Sequence, residues 1–292
     1  MIRLTRDSDF PQVLHIWQAC FGDGEDYVQF FWKHGFPLCR GLLWEEDGQA
    51  VSMLFLLPGA LAHNDTALPA EYVYAVATLP DYRGRGFAGA LTERAASIAR
   101  FEKKAALCLL PGSESLYAYY AKQGFTRAFA RQDFQAGFAP PESPPMDPGF
   151  MRNPIIEEVI ARKRGATWGA LGYFAWGPPL LEYLHREHVN TGGQVYPDGE
   201  GIAFLSKDGA VKERFACQPT EEPGGMMLPL LRPYLAWFRP GFHPWQQGMI
   251  AGYDAWAQTL AQTKDAVRAA DALQTSTGVA VKAVGPRALS TR

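Results

Sequence analysis

The chain has 292 residues, of which 47% are hydrophobic and 20% charged, and its formal net charge is -2. Such a composition is that of a globular protein with ample apolar material for a core, and it argues against intrinsic disorder. The near-neutral charge gives no electrostatic footprint for nucleic acid, and no apolar run approaches the ~20 residues that a membrane span needs.

The first quarter of the chain predicts a short strand, two helices and an antiparallel meander. Residues 2–4 have strand character, and apolar side chains between Val13 and Phe21 recur at helical spacing. After a second short helix around residues 27–32, three strand-like runs follow at 42–44, 51–57 and 72–77. Because Asp47-Gly48 between the first two runs is a strong hairpin signal, these strands are expected to pair antiparallel.

A glycine-rich loop and two helix–strand pairs come next. The predicted elements are a helix over about 86–101, a buried strand over 105–110, a helix over 115–122 that ends at Gly124, and a strand over 126–134. This order of elements predicts an α/β (α+β) fold, in which a mixed, mostly antiparallel sheet is flanked by helices.

A proline-rich stretch at 138–150 marks the best domain boundary, because prolines lack a backbone donor and cannot continue a helix or a central strand. We predict a first domain over 1–137, this linker, a second, smaller α/β domain over 151–275 and a mobile polar tail over 276–292. The elements expected in the second domain are helices over 155–163 and 180–188, strands over 201–206 and 211–217, and a helix carrying Met226, Leu230 and Leu231.

The segment EYVYAVATLPDYRGRGFAGA, residues 71–90, has the pattern of a strand, a turn, a glycine-rich loop and a helix. Gly84 and Gly86 let the backbone approach a ligand closely, and the following helix directs free N–H groups and its positive dipole end into the same space. Arg83 and Arg85 add positive charge. These features predict an anion site suited to a diphosphate; the alternative is a tight, solvent-exposed turn.

Two motif interpretations compete for this loop, and the first is dinucleotide binding. Residues 84–89 match the fingerprint G-x-G-x-x-G. That fingerprint directly follows the first strand of a βαβ unit, whereas these glycines lie several residues past Ala77 and follow a meander. No clear acidic residue ends the next strand either. A nucleotide-dependent dehydrogenase is therefore the weaker interpretation.

The second interpretation depends on two motifs in the right order. Arg83-x-x-Gly86-x-Ala88 resembles the pyrophosphate loop Arg/Gln-x-x-Gly-x-Gly/Ala of the GNAT superfamily of N-acetyltransferases. Residues 120–125, Tyr-Ala-Lys-Gln-Gly-Phe, resemble the Tyr-x-Lys-x-Gly-Phe that ends a later helix in that family. The resemblance covers about residues 1–137 and implies the GNAT fold for them.

The resemblance implies an acyl-CoA-dependent N-acyltransferase, which moves an acetyl group from acetyl-CoA to a primary amine of a small molecule or a peptide by direct attack. It implies that the pantetheine arm pairs with backbone groups of Val76, Ala77 and Thr78, and that an N–H near Thr78 polarises the thioester carbonyl. The residues implied to bind the pyrophosphate are Arg83, Gly84, Arg85, Gly86, Phe87 and Ala88. No metal is implied.

Four side chains are candidates for the chemistry and the substrate pocket. Tyr120 matches the family residue that commonly protonates the departing thiolate, and packing under the loop is its alternative role. Glu71 lies near the position of the family's general base, but matching the loops places Tyr72 there, and a shift of one residue moves a side chain to the other sheet face. Tyr72 and Tyr74 share a face and are expected to line the substrate pocket or to belong to the core.

The second domain is expected to be a degenerate GNAT-like copy, as in tandem-GNAT proteins of the enhanced-intracellular-survival and mycothiol synthase-like types. Where the first loop has Arg-Gly-Arg-Gly, residues 221–225 are Glu-Glu-Pro-Gly-Gly. Two carboxylates repel a diphosphate and Pro223 lacks a donor, so this copy is expected not to bind CoA but to complete the sheet or to line the acceptor site. The run at 185–188, His-Arg-Glu-His, fits no metal motif and is interpreted as a solvated helix face.

Cysteine usage and the N-terminus bear on the compartment. The cysteines, at 20, 39, 108 and 217, form no CxxC pair, which predicts neither a disulfide framework nor a metal site. The first residues, MIRLTRDSDF, lack the apolar stretch of a signal peptide. We therefore expect a cytoplasmic protein that binds neither nucleic acid nor membrane.

Two rival functions stay open at this point. A non-catalytic acyl-CoA-binding or regulatory module would keep the loop without turnover, and an acyltransferase for another acyl-CoA or acceptor would differ in its pocket. The sequence specifies neither the acceptor nor the oligomeric state.

Overall fold

The computed structural model describes residues 1–63, 66–127, 130–132, 142, 144–146, 173–198, 201–214, 219–223 and 225–230. The helices are α1 (Phe10–Phe21), α2 (Glu25–Phe30), α3 (Phe87–Phe101), α4 (Glu114–Ala121) and α5 (Pro178–Asn190). The first seven strands are β1 (Ile2–Leu4), β2 (Arg40–Glu46), β3 (Gln49–His63), β4 (Thr66–Thr78), β5 (Ala106–Leu109), β6 (Thr126–Arg127) and β7 (Ala130–Gln132). The later ones are β8 (Tyr173–Trp176), β9 (Gln194–Asp198), β10 (Gly201–Leu205), β11 (Val211–Arg214), β12 (Pro219–Pro223) and β13 (Met226–Pro229).

The order of elements predicted for residues 1–127 is confirmed, including the tight hairpin between β2 and β3. Asp47 and Gly48 both have positive φ, 48° and 80°, as the type I′ turn of a two-residue hairpin loop requires. Pairing of β2 with β3 and of β3 with β4 is antiparallel along its whole length. These three strands are the predicted meander.

The main sheet has the strand order β1-β2-β3-β4-β5-β13-β6, and β8 pairs with β3 beside this path. Its pairs are antiparallel except for β4 with β5, which run parallel. The predicted mixed, mostly antiparallel sheet is thus confirmed. The parallel pair is short, because it joins Glu71 to Leu107 and Tyr72 to Cys108 and then ends.

Helices cover both faces of the sheet, and strand alternation divides the apolar side chains between them. On one face α1 and α2 pack around Trp17, which is 2% exposed. Its indole lies within 6.2 Å of the rings of Phe21, Tyr27, Phe31, Phe55 and Tyr74. On the other face α3 buries a stripe of residues four apart, Leu91, Ala95 and Ala99. Burying a large apolar side chain stabilises the fold by ~1.5–3 kcal/mol, so both faces contribute to stability.

The prediction of a helix that carries Met226 and Leu230 is wrong, because Met226–Pro229 form strand β13. This strand inserts between β5 and β6 and pairs antiparallel with both. Apolar residues four apart satisfy helical spacing, but a strand buried on both faces has an apolar run of the same kind. Met227 is 0% exposed, as such a strand demands. Leu231 lies outside the described residues.

The other elements predicted after the proline-rich stretch are partly described. The helix over 180–188 is confirmed as α5, and the strand over 201–206 as β10. The strand over 211–217 is present as β11 up to Arg214, beyond which residues 215–218 are outside the described part. The helix over 155–163 and the tail over 276–292 lie outside it too.

Strands from the later part of the chain complete the sheet of the earlier part. β8 pairs with residues 59–62 of β3, beyond the part of β3 that pairs with β2, and β13 lies between β5 and β6. This agrees with the expectation that the later part completes the sheet, while the division into domains over 1–137 and 151–275 stays a prediction. Among the described residues, no helix has the length and apolar character to cross a membrane.

Candidate functional site

The strands β4 and β5 separate after their short parallel pairing, and a cleft opens between their ends. A bulge in β4 lies at this place, where Leu54 of β3 faces both Ala75 and Val76. Ala75 has a positive φ of 49°, and a bulge bends the strand that contains it. The cleft has a volume of about 320 Å³ and is lined by Trp17, Phe21, Asp23, residues 72–76, residues 109–112, Leu116 and Tyr120.

β4 leads from the cleft into the glycine-rich loop, which ends at the N-terminus of α3. Gly84 and Gly86 have φ values of 77° and 82°, and a Cβ at either position would meet open space. These positions therefore need glycine for its conformation rather than for packing. None of the backbone hydrogen bonds of this described segment uses an N–H of residues 84–89, whereas the N–H of Ala90 already donates to Gly86. Free amides and the positive end of a helix dipole are features that favour the binding of an anion.

The side chains of the loop have different surroundings. Arg83 is exposed and its Nε donates to the Thr78 carbonyl at 3.1 Å, and the exposed Arg85 guanidinium lies 5.0 Å from the centre of the Tyr82 ring. Phe87 is buried and stacks on a tryptophan of β2 at 4.5 Å. The arginines are thus available to a ligand, while Phe87 anchors the loop and can offer only its backbone.

The strand end before the loop is held by hydrogen bonds on the β3 side. Ser52 Oγ donates to the Ala77 carbonyl at 2.8 Å, and its hydroxyl lies 2.8 Å from Thr78 Oγ1. Ala77 is buried, whereas Val76 lines the cleft. Of the three residues expected to pair with a pantetheine arm, only Val76 is therefore among the residues that line the cleft.

Tyr120 extends from α4 into the cleft and is 7% exposed. Gly124, with φ of 89°, ends the helix and lets Phe125 N–H donate to the Tyr120 carbonyl. This turn places the Phe125 ring against the Tyr120 ring at 5.6 Å. Burial raises the pKa of Tyr120, so its phenol is protonated at neutral pH and can act as a proton donor.

Glu71, the candidate general base, does not line the cleft, and the structure does not support that role. It lies on the sheet face that α3 covers, where the residue is 3% exposed and its carboxylate lies 2.6 Å from the Arg40 guanidinium. Arg40 also binds Glu102, beyond the C-terminal end of α3. Burial raises the pKa of Glu71, and the charge of Arg40 opposes that shift. The one-residue alternation of the strand, together with this ion pair, turns Glu71 away from the cleft.

Tyr72 and Tyr74 both line the cleft, on the face that α1 covers. The ring of Tyr72 packs edge-on against Trp176 of β8 at 5.3 Å. The Tyr74 hydroxyl lies 3.0 Å from the hydroxyl of Tyr27 in α2. The sequence prediction that these residues share a face agrees with this placement, and the later part of the chain supports one side of the cleft.

Glu187, a carboxylate of α5 that is connected to the cleft, is absent from the site residues predicted above. Its Oε1 accepts hydrogen bonds from the hydroxyls of Tyr27 at 2.6 Å and Tyr183 at 2.7 Å. Burial raises the pKa of Glu187. The interpretation of residues 185–188 as a solvated face is wrong for His185, which is 1% exposed, and Glu187 is only partly exposed. The available signal was the spacing of Tyr183 and Glu187, which are four residues apart on one helix face.

The segment interpreted as part of a degenerate second copy, residues 221–225, differs in its described residues from the glycine-rich loop before α3. Residues 219–223 are strand β12, which pairs with β7. The next described element is strand β13 rather than a helix. Among the described residues, this segment therefore lacks the arrangement of residues 84–89, in which a glycine-rich loop ends at a helix N-terminus.

Comparisons with known proteins find a matching family model for the earlier part of the chain. Residues 1–128 match the family model described as "Acetyltransferase (GNAT) domain". The comparison with curated proteins gives no match. Among solved structures, the chain is similar to a GCN5-related N-acetyltransferase from Kribbella flavida, with 14% identity and a TM-score of 0.53 over 79% of this chain and 72% of that one.

Two longer solved structures are also similar. One is a protein from Enterococcus faecalis V583 described as a probable N-acyltransferase, with 15% identity and a TM-score of 0.51 over 72% of this chain and 53% of that one. The other is Eis1 from Mycobacterium abscessus, with 16% identity and a TM-score of 0.51 over 70% of this chain and 53% of that one. The match thus spans about half the length of each of these two chains, and the likeness shows a shared fold.

Proposed function

We propose, from the match of residues 1–128 to the GNAT acetyltransferase domain model, that the protein transfers an acetyl group from acetyl-CoA to a primary amine of a small molecule or a peptide. The observation that carries the proposal is the arrangement along β4. A cleft lined by Tyr72 and Tyr120 leads along this strand into a loop whose amides at 84–89 are free. We place this activity in the cytoplasm.

The loop and the cleft together suit the shape and charge of acetyl-CoA. A diphosphate is matched by the free amides of residues 84–89 and by the charges of Arg83 and Arg85. The pantetheine arm, which carries amide groups, would lie along β4 between Tyr72 and Thr78. Beyond Tyr72 the β5 side of this strand has no strand partner among the described residues, so its backbone groups are available for pairing.

The reaction is direct attack of the amine nitrogen on the thioester carbonyl carbon. A C–N bond forms, the C–S bond breaks, and the thiolate leaves with the bonding electrons. Tyr120 then donates its phenolic proton to the sulfur, and the proton that the acylated nitrogen loses returns to Tyr120, so the amide, the free thiol of CoA and the phenol are the products. Because a thiol has a pKa of about 8.5, the thiolate is a moderate leaving group, and a proton donor speeds its departure without being indispensable.

Binding is tested by replacing one loop glycine and one matched glycine elsewhere. Gly86→Ala and Gly209→Ala both put a side chain where φ is positive and space is open, so both lose about 1 kcal/mol of stability. Only Gly86→Ala disturbs the amides of the loop, so its Kd for acetyl-CoA in calorimetry should rise about tenfold or more. Equal affinities of the two variants and the wild type would contradict a diphosphate site in this loop.

Turnover is tested by CoA release with a panel of amines. Tyr120→Phe should lower kcat about tenfold to a hundredfold while the KM for acetyl-CoA changes little. Tyr119→Phe is the control, since Tyr119 is the neighbour on α4 and does not line the cleft. Binding of acetyl-CoA without CoA release on any amine would support the non-catalytic module instead, and release from longer acyl-CoA alone would support the other acyltransferase.

A further inference from the structure

We propose that Glu187, acting through Tyr27 and Tyr74, receives the proton that the ammonium form of the acceptor gives up before its nitrogen attacks acetyl-CoA. This inference depends on the proposed function, because it concerns the same cleft and the same reaction. Glu71 of β4 does not line the cleft, so the carboxylate that accepts the proton is assigned to α5 instead. Glu187 acts through other groups, so it is a positioning residue rather than one that touches the substrate.

A continuous chain of hydrogen bonds links the cleft to Glu187. Tyr74 is one of the residues that line the cleft. Its hydroxyl lies 3.0 Å from that of Tyr27, and the Tyr27 hydroxyl lies 2.6 Å from Glu187 Oε1. These distances are those of normal and short O–H···O hydrogen bonds.

The direction of every bond in the chain follows from the number of protons available. An ionised carboxylate can only accept, so Tyr27 donates its one hydroxyl proton to Glu187. Tyr27 must then accept from Tyr74, which uses the single proton of Tyr74. The remaining lone pair of the Tyr74 oxygen is left to accept an N–H from the cleft. The chain is therefore oriented to carry a proton from the cleft toward α5.

The surroundings make Glu187 the end of the relay. Burial raises the pKa of Glu187, so it holds a proton more readily than an exposed carboxylate. The negative charge of Asp23, beyond the end of α1, raises that pKa further, and the hydrogen bonds from Tyr27 and Tyr183 oppose the shift. The neighbouring Arg186 is directed instead to His34, 3.5 Å away.

The two tyrosines of the relay pass the proton on and do not keep it. Burial raises the pKa of Tyr27 and of Tyr74, so neither phenol is ionised at rest. The ammonium of the acceptor gives a proton to the Tyr74 oxygen as Tyr74 gives its own to Tyr27, and Tyr27 gives its own to Glu187. An ammonium and a carboxylate become a free amine and a carboxylic acid, with both phenols unchanged, and the amine lone pair is then free to attack.

The test compares three relay variants with a matched control. Glu187→Gln, Tyr27→Phe and Tyr74→Phe should each lower kcat at pH 7 about a hundredfold for an amine that is protonated in solution, the usual range for general base catalysis. Tyr183→Phe also loses a hydrogen bond to Glu187 Oε1 but lies off the path to the cleft, so its kcat should stay within about threefold of the wild type. Acetyl-CoA affinity should be the same in all four variants.

The pH profile separates a relay from a structural role. In the relay variants kcat/KM should rise with pH up to the pKa of the acceptor itself, and an acceptor amine that is uncharged at pH 7 should restore most of the lost rate. Loss of rate for both kinds of amine alike would overturn the relay. A wild-type pH profile in Tyr27→Phe and Tyr74→Phe would also overturn the relay. These two variants decide the question if Glu187→Gln does not fold.

The two proposals fail in different ways. A wild-type protein that binds acetyl-CoA but acetylates no amine at any pH would overturn acetyl transfer and the relay with it. A wild-type protein that acetylates amines, with relay variants equal to Tyr183→Phe, would overturn the relay alone.

Discussion

Burial raises the pKa of both Glu71 and Glu187, yet the partners of the two carboxylates differ in kind. Glu71 is bound by the guanidinium of Arg40 on the face that α3 covers. Glu187 is bound by two neutral phenols, one of which leads on to the cleft through Tyr74. A carboxylate paired with a fixed cation holds structure together, whereas one bound by neutral donors can take up a proton.

The comparison also shows that position along the chain is a poor guide to the cleft. Glu71 lies on β4 itself, one residue before Tyr72, but strand alternation turns it to the other face. Glu187 is more than 100 residues later in the sequence than Tyr74. The packing of α5 nevertheless places both residues in hydrogen-bonding contact with Tyr27.

The largest expected effect on stability comes from breaking the ion pair between Arg40 and Glu71. Arg40→Leu leaves a buried carboxylate without its cation, and we expect a loss of about 2 kcal/mol in the free energy of unfolding, less than the ~3–5 kcal/mol of a fully buried pair because Arg40 is partly exposed. Urea unfolding measures this loss. The double variant Arg40→Leu, Glu71→Leu should recover most of it, and no recovery would mean that the pair is not what stabilises this region.

A smaller effect, on the pH dependence of the unfolding free energy, should distinguish Glu187 from Glu71. Burial holds the pKa of folded Glu187 above its ordinary value of 4.5, so the folded state binds the proton more tightly than the unfolded state. The resulting stability is present below about pH 4.5 and is lost as the pH rises through the raised pKa. Glu187→Gln removes this component, so its unfolding free energy should fall less than that of the wild type between pH 4.5 and 8.

Glu71→Gln is the matched variant for that measurement. The charge of Arg40 opposes the effect of burial on the pKa of Glu71, so this variant should change the pH slope of the unfolding free energy less than Glu187→Gln does. It should also leave CoA release within about threefold of the wild type, since Glu71 does not line the cleft. A slope that changes equally in both variants would erase the distinction between the two carboxylates.

Much of the fold was predictable because its signals are local. The Asp47-Gly48 hairpin, the glycines at 84 and 86 and the helices around them depend on φ preferences and on apolar spacing within one element. The strand β13 was not predictable in this way, since its short apolar run fits a helix as well as a buried strand. Its partners, β5 and β6, lie about a hundred residues earlier in the chain.

The sequence by itself determined the loop of residues 83–88, the order of the elements around it and the placement of Tyr120 after the next strand, because turn chemistry and helix periodicity act over a few residues. The tertiary structure decided which carboxylate is connected to the cleft. Alternation and the Arg40 ion pair turn Glu71 away, and the packing of α5 brings Glu187 to Tyr27. Such contacts arise only when distant elements pack, so no local pattern encodes them.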